Sequence, residues 1–406
     1  VRPGPGPGAM GFILLTLVID AMGIGLIVPV LPGLIRDVTG GTLADAALWG
    51  GVLSTAFAVM QFLFGPLTGN LSDRYGRRPV LLISMAVMAA DYLVMALAGS
   101  IWWLLAGRVV GGISAATQST ATAFVADISA PAEKSARFGL VGAAFGLGFV
   151  LGPALGGLLG QLGPRAPFYA AALLAGANFA LGLAVLPETV NDRTRRRFRL
   201  SRANPLGALR QMRALPGLGR LFVLVFLYDF AFIVYPATWA FFTQARFGWA
   251  PAMVGLSLAA FGLSSAAVQG WLIRPVLASF GERRTVLAGL GFSLLAFAIL
   301  SGIGDGALAL GLIPLAALGF MATPALQGMM SQRVGDDAQG ALQGAVTSTK
   351  ALAAILSPLV MTATFSAFTA PGAPLQLPGA PFLLAALLML VCAVVFAAEP
   401  AAQDAR

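Results

Sequence analysis

The sequence has no histidine and only one cysteine, Cys392. Without histidine there is no Ser-His-Asp triad, no imidazole metal ligand and no imidazole proton shuttle, so proton chemistry falls to carboxylates. A lone cysteine excludes an intramolecular disulfide. Neither a Gly-x-x-x-x-Gly-Lys-Ser/Thr phosphate loop nor a Gly-x-Ser-x-Gly elbow occurs, which argues against ATP-driven pumping and serine hydrolysis. No cofactor or metal is expected. Charge is also scarce: charged residues are 10% of the 406 and hydrophobic residues 58%, with a mean hydropathy of +0.87. A water-soluble surface cannot be assembled from that mixture, so the class is an all-α polytopic membrane protein. The net charge of +9 would suggest nucleic acid in a soluble chain. Here the arginines gather in loops on one side of the expected membrane, where they act as topology signals, and no nucleic-acid partner is expected.

Apolar runs predict twelve transmembrane helices, at about 10–34, 47–70, 79–98, 101–128, 136–160, 165–187, 219–243, 251–278, 285–303, 306–333, 340–366 and 381–398. Each is long enough to cross ~30 Å of hydrocarbon. Arg74, Arg77, Arg78, Lys134, Arg137, Arg283, Arg284 and Arg333 fall on one side, against Arg36, Arg165 and Arg246 on the other. Both termini are therefore expected in the cytoplasm, and the chain in the inner membrane. Residues 1–9 read as a disordered lead without a signal-peptide cleavage pattern, and 399–406 as a cytoplasmic tail. Between the halves 10–187 and 219–398, the hydrophobic pattern stops over 188–218 and arginines crowd in. There Asn204-Pro205 reads as a helix start, and Leu206, Leu209, Met212 and Leu215 recur at helical spacing. A short amphipathic helix on the inner leaflet is expected.

The two halves repeat. Gly139 precedes Pro153 by the interval that separates Gly344 from Pro358. Gly281-Glu282-Arg283-Arg284 echoes Gly76-Arg77-Arg78, with no acid where Asp73 would match. Two pseudo-symmetric six-helix bundles follow from this.

A charged side chain at mid-membrane costs ~2.5–3.5 kcal/mol on insertion scales, so each one inside a span needs a partner, a water-filled cavity or a function. These are Asp20, Asp91, Arg108, Asp229 and Lys350; Asp127 and Arg274 lie nearer helix ends. Asp91 and Arg108 fall at similar depth, as do Asp229 and Lys350. Each pair can form a salt bridge, and for Asp229 and Lys350 a purely structural pair weighs equally with a proton or substrate relay. Burial favours a protonated carboxyl and a nearby cation favours the carboxylate, so these five are the proton-coupling candidates.

The polar island Gly69-Asn70-Leu71-Ser72-Asp73-Arg74-Tyr75-Gly76-Arg77-Arg78 joins the second and third spans. It resembles the signature loop of the major facilitator superfamily. Gly148, Gly152, Pro153, Gly156 and Gly157 in the fifth span resemble the motif of that superfamily's antiporter branch, and Arg108 in Gly107-Arg108-Val109-Val110-Gly111-Gly112 its fourth-helix motif. Asp20 through Pro32, Asp91-Tyr92-Leu93, the stretch from Ala237-Thr238-Trp239 to Val254-Gly255, Pro324 through Gly328 and Gly340 through Gly344 are similar to the tetracycline-efflux family.

The resemblance implies a proton-coupled secondary transporter of the major facilitator fold, exporting small amphipathic drugs and working as a monomer. Small molecules and protons would be its partners. Asp73 and Arg77, with Asp127, would form a cytoplasmic gating cluster together with Gly69, Arg74, Gly76 and Arg78. The sequence departs from the family at Ser293, where the exporters carry an acid, and near Ser265, where some carry histidine. Candidate cavity residues are Gln61, Gln118, Tyr228, Tyr235, Trp239, Gln327 and Met330, since Gln and Tyr in a span need polar partners. For Trp239 and Met330 core packing is the competing reading. Alternatives are a carrier of an endogenous metabolite on the same fold, and a membrane receptor or scaffold.

Overall fold

The structure is a computed structural model that describes residues 7–115, 117–190, 195, 215 and 217–399. Residues 1–6 of the expected lead, nearly all of the expected linker helix and residues 400–406 lie outside the described residues. Pro7, Gly8 and Ala9 already belong to the first helix. The described residues are helices and turns without a strand.

The N-terminal helices are α1 (Pro7–Ile27), α2 (Leu31–Thr39), α3 (Leu43–Tyr75), α4 (Arg77–Leu97), α5 (Ile101–Ser114), α6 (Thr117–Ile128), α7 (Lys134–Leu159) and α8 (Ala166–Val185). Then come α9 (Gly219–Phe232), α10 (Val234–Phe247), α11 (Pro251–Ala267), α12 (Ile273–Gly302), α13 (Gly306–Gly311), α14 (Ile313–Leu318), α15 (Ala322–Gln332), α16 (Gln339–Ala367) and α17 (Ala380–Ala397).

Ten helical stretches among the described residues are long and apolar enough to span a membrane. One of them, Pro251–Gly302, is 52 residues long, too long for a single ~30 Å crossing. Gly281 breaks it with non-helical φ/ψ angles of 72° and 170°, which yields an eleventh. α5 and α6, on either side of residues 115–116, make the twelfth. The protein is a multi-pass membrane protein with the expected twelve spans.

Prolines set the interruptions. Proline cannot donate to the carbonyl four residues back, which lets a helix yield there, although Pro66, Pro153 and Pro358 sit inside unbroken helices. Pro236 follows the break at Ile233, Pro275 the π-turn Val268–Leu272, and Pro324 the 3₁₀ turn Gly319–Met321. The first expected span stops at Ile27 and resumes at Leu31 around Pro29 and Pro32. At the start of α3, Thr42 and Asp45 cap reciprocally. Thr42 donates its backbone N–H (2.9 Å) and hydroxyl (2.7 Å) to the Asp45 carboxylate, and Asp45 N–H donates to the Thr42 hydroxyl at 3.2 Å. These bonds hold the Asp45 carboxyl below the usual carboxylate range.

Packing divides the chain into two compact units. One comprises Val1–Gly40, Ala56–Pro205 and Ala250–Ala259; the other comprises Gly41–Thr55, Leu206–Trp249 and Ala260–Arg406. In the first, Phe12, Ile13, Leu17, Leu81, Met85, Phe124, Val125 and Leu186 form a buried core. Beside it α1 lies directly on the glycines of α7. A Cβ on Gly152 would stand 2.6 Å from the Met22 carbonyl oxygen, and one on Gly148 or Gly156 would collide with the backbone of Val18 or Leu26. Small residues at this spacing let two backbones approach. Pro153 and Gly157 take Gly255 and Pro251 of α11 in the same manner.

The second unit is centred on aromatic rings: Phe232 stacks near Tyr228 (4.5 Å) and Phe320 (4.8 Å), Tyr235 near Phe261 (4.7 Å) and Phe242 near Phe382 (4.8 Å). Leu97, Leu173, Trp271 and Val394 are exposed on helix surfaces. Such apolar surface is a liability in water and suits contact with lipid.

Candidate functional site

Polar side chains gather at four places, two in each unit. The first follows from the one-residue turn between α3 and α4. Gly76 bridges them at φ 115°, a backbone conformation that favours glycine, and a Cβ there would meet the Glu188 carboxylate. α4 therefore begins with two unsatisfied amides, and Glu188 caps both, accepting from Arg77 N at 2.9 Å and Arg78 N at 3.2 Å. The same carboxylate also accepts from Thr189 N and Val190 N, each at 2.9 Å.

The Arg77 side chain joins the acids: its Nη1 is 2.6 Å from Asp73 and its Nε 3.2 Å from Asp127. It also donates to the Ser72 hydroxyl at 2.6 Å, while Thr189 donates to Asp127 at 3.1 Å. Arg78 donates to the Leu183 carbonyl at 2.8 Å. Arg74 is exposed over the Tyr75 ring, and a Cβ on Gly69 would meet nothing within 4 Å. The N-terminal end of α4 is capped by Glu188, and Asp73 pairs with the Arg77 guanidinium.

The second place lies within the helices of the same unit. Asp91 on α4 is buried, and its carboxylate occupies the space left by two glycines of α5. A Cβ on Gly107 would be 2.5 Å from Oδ1 and one on Gly111 2.6 Å from Oδ2. Arg108 Nη2 pairs with Oδ2 at 3.3 Å and donates to Met95 Sδ at 2.6 Å, and its guanidinium lies 5.3 Å from the centre of the Phe57 ring. Among the described residues, Asp91 Oδ1 and Arg108 Nε have no hydrogen-bond partner, so the buried pair is incompletely satisfied. Half-buried Asp20 lies beside the Thr117 hydroxyl, and buried Tyr92 stands among Asp20, Asp91 and Arg108.

The third place is in the second unit. Asp229 on α9 and Lys350 on α16 approach to 3.6 Å. Both line a narrow cleft with Tyr228, Thr323 and Gln327, walled by Leu224, Val225, Val286, Leu290, Ala322 and Leu326. Tyr228 donates to the Gly319 carbonyl at 2.8 Å. Ser293 is buried, donates to the Gly289 carbonyl at 2.8 Å, and lies so close to Gly319 that a Cβ on that glycine would collide with its hydroxyl. Ser293 thus takes up a closely packed position where the resemblance leads one to expect a larger acid.

The fourth place is where the twelfth span ends. Glu399, expected in a free tail, is buried and bound: Arg333 Nη1 lies 2.6 Å from its carboxylate, and Arg283 donates to its backbone carbonyl at 2.7 Å. Arg220 is 3.9 Å away. The second half thus obtains the acid missing from Gly281-Glu282-Arg283-Arg284 from a residue far along the chain, as the first half obtains Glu188 after its sixth span. Glu282 accepts from Gln332 at 2.9 Å, and partial burial pushes its carboxyl above the usual range. Sequence reasoning missed both Glu188 and Glu399. The available signal was an acid beside a proline at the end of each half, Pro187-Glu188 and Glu399-Pro400.

The expected cavity residues separate. Tyr228 and Gln327 line the cleft, whereas Tyr235 and Trp239 belong to the aromatic core and Met330 is fully buried. Tyr228, Phe232, Tyr235 and Trp239 recur at helical spacing, a pattern that a packed core produces as readily as a ligand site. Gln61 is exposed and donates to the Ala115 carbonyl at 3.4 Å. The Gln118 side chain lies outside the described residues.

Residues 13–358 match the Major Facilitator Superfamily. The chain is 41% identical over 359 residues to the class C tetracycline resistance protein of Escherichia coli, covering 88% of this chain and 90% of that one. It is 43% identical over 361 residues to the class G protein of Vibrio anguillarum, covering 87% and 89%. Among solved structures, the human organic anion transporter MFSD10 superposes with a TM-score of 0.69 at 28% identity, over 96% of this chain and 100% of that one. The family match over most of the chain, the long alignments and the twelve-span fold agree: this membrane protein belongs to the Major Facilitator Superfamily of transporters.

Proposed function

We propose that the protein is a proton-coupled exporter of small amphipathic drugs of the tetracycline kind. It works by alternating access as a monomer in the inner membrane, with both termini in the cytoplasm. The observation that carries the proton coupling is the Asp91–Arg108 pair. A buried carboxylate with one oxygen in a salt bridge and the other unsatisfied can take up a proton on the free oxygen, which weakens its hold on the arginine. Asp20 and Tyr92 beside it give the proton a polar route through the helices. Asp73, Arg77 and Asp127, steadied by Glu188, act as a latch favouring one state of the cycle. The glycine and proline run of α7 keeps α1 in close contact during that motion. Substrate class is supported by similarity to tetracycline resistance proteins along nearly their whole length.

The test is uptake of labelled tetracycline into inverted membrane vesicles under an imposed pH gradient, acid inside. Wild-type vesicles should accumulate the drug and lose it when nigericin collapses the gradient. Asp91→Asn and Asp20→Asn should each lose gradient-driven accumulation, whereas Asp73→Asn should insert normally and transport slowly. Gradient-driven accumulation that survives in both Asp91→Asn and Asp20→Asn would remove the coupling assignment.

A further inference from the structure

The π-turn between α11 and α12 has one packed side and one open side. It spans Val268–Leu272 and is closed by a bond from the Ile273 N–H to the Val268 carbonyl, an irregularity that often marks a functional position. Val268 and Ile273 are buried against Ala317 and Met321. On the open side Gln269, Trp271 and Arg274 are exposed, Trp271 at 82%. Among the described residues, the Gln269 carboxamide, the Trp271 indole N–H and the Arg274 guanidinium have neither a hydrogen-bond nor an ion-pair partner. All three are donors, and in a bilayer such groups need an acceptor.

Trp271 and Arg274 are three residues apart and so are neighbours on the helix surface. At 1.5 Å per residue Arg274 lies roughly 10 Å along the helix from the break at Gly281, a depth from which an arginine side chain can snorkel to headgroup level. Past the break, Arg284 is a second exposed arginine without an ion pair among the described residues, whereas Arg283 is engaged with Glu399. Glu282, which lies between Arg274 and Arg284 in the chain, accepts from Gln332. This end of the span thus carries uncompensated positive charge beside an exposed indole. We propose that Trp271 and Arg274 bind the headgroup of an anionic phospholipid. The guanidinium pairs with the phosphate oxygens, and the indole lies at the boundary between headgroup and acyl chain, where tryptophan concentrates in membrane proteins. A zwitterionic lipid fits less well, because its own ammonium neutralises the phosphate and leaves the arginine charge in excess. The inference needs the chain to lie in a membrane and does not depend on what it exports.

Trp271 can report its own contact. In nanodiscs holding the full chain, phospholipids brominated on their acyl chains quench tryptophan, and the part due to Trp271 is the quenching of wild type less that of Trp271→Phe. At equal mole fraction, brominated phosphatidylglycerol should have an affinity for this site about fivefold above that of brominated phosphatidylcholine, the increment of one basic side chain at an anionic surface. High salt should lower the ratio. Arg274→Gln should bring it close to one, and Arg274→Lys, which keeps the charge, should retain most of it. Both variants should keep Cys392 shielded from thiol reagents, which shows that the fold survives. A ratio of one in wild type, an undiminished ratio in Arg274→Gln, or a loss as complete in Arg274→Lys as in Arg274→Gln would each overturn the proposal. Those outcomes leave gradient-driven tetracycline uptake untouched, and failure of that uptake leaves the lipid site standing.

Discussion

Glu188 and Glu399 do similar work on different terms. Glu188 is exposed and caps two backbone amides, a role whose loss costs about 1 kcal/mol in typical helix starts. Glu399 is buried and carries a charge pair, and its loss strands Arg333, which should cost about 2 kcal/mol because the arginine keeps some access to solvent. Thermal unfolding followed by thiol labelling at Cys392, the buried single cysteine, should rank Glu399→Ala below Glu188→Ala in Tm, and both below wild type. Equal Tm values would mean that neither acid ties its unit together. Asp45 supplies a pH test at the same scale. Its folded pKa is depressed by Thr42, so its stabilising effect is complete above the unfolded value near 3.9 and is lost as pH falls through the lower folded value. Hydrogen exchange in the first turn of α3 should be as slow at pH 5 as at pH 7 and accelerate, after correction for intrinsic rates, below about pH 4.

Helices of this chain are defined by where their backbones may touch. Gly152→Leu should abolish folded yield in membranes, because even its Cβ lies 2.6 Å from a carbonyl of α1. Gly146→Leu on the same helix, where a Cβ meets nothing within 4 Å, should express like wild type. Similar yields of the two would detach the glycine spacing from packing. Much at this scale was legible in the sequence: the spans from apolar runs, and two ion pairs from equal depth along neighbouring spans. The breaks were not, because a proline inside an apolar run leaves hydropathy unchanged and shows its effect about four residues earlier. Glu188 was hidden for a different reason, since it reaches Arg77 across 111 residues and looked like the first charge of a linker. Tyr235 joins the aromatic core and Trp239 takes the core-packing reading weighed for it, since polar atoms on an aromatic ring do not reveal from sequence which way the ring faces.

At the scale of the molecule, the repeat read from Gly139-to-Pro153 and Gly344-to-Pro358 extends to contacts. Gly51 of α3 packs on Pro358 and Thr362 of α16 within one unit, and Gly255 of α11 packs on Pro153 of α7 within the other. Each half of the chain therefore lends a helix end to the unit built chiefly from the other half. Such an exchange resembles a domain swap carried out inside one polypeptide, and it makes the covalent connection between the halves dispensable for their association. Two fragments made by cutting the gene within 196–214 and co-expressed should copurify and restore tetracycline transport. Deleting 41–55 from the first fragment and replacing Gly255 by Leu in the second should together remove copurification. If the intact fragments never meet, the linker holds the halves together, and the lent arms serve only to fill the two cores.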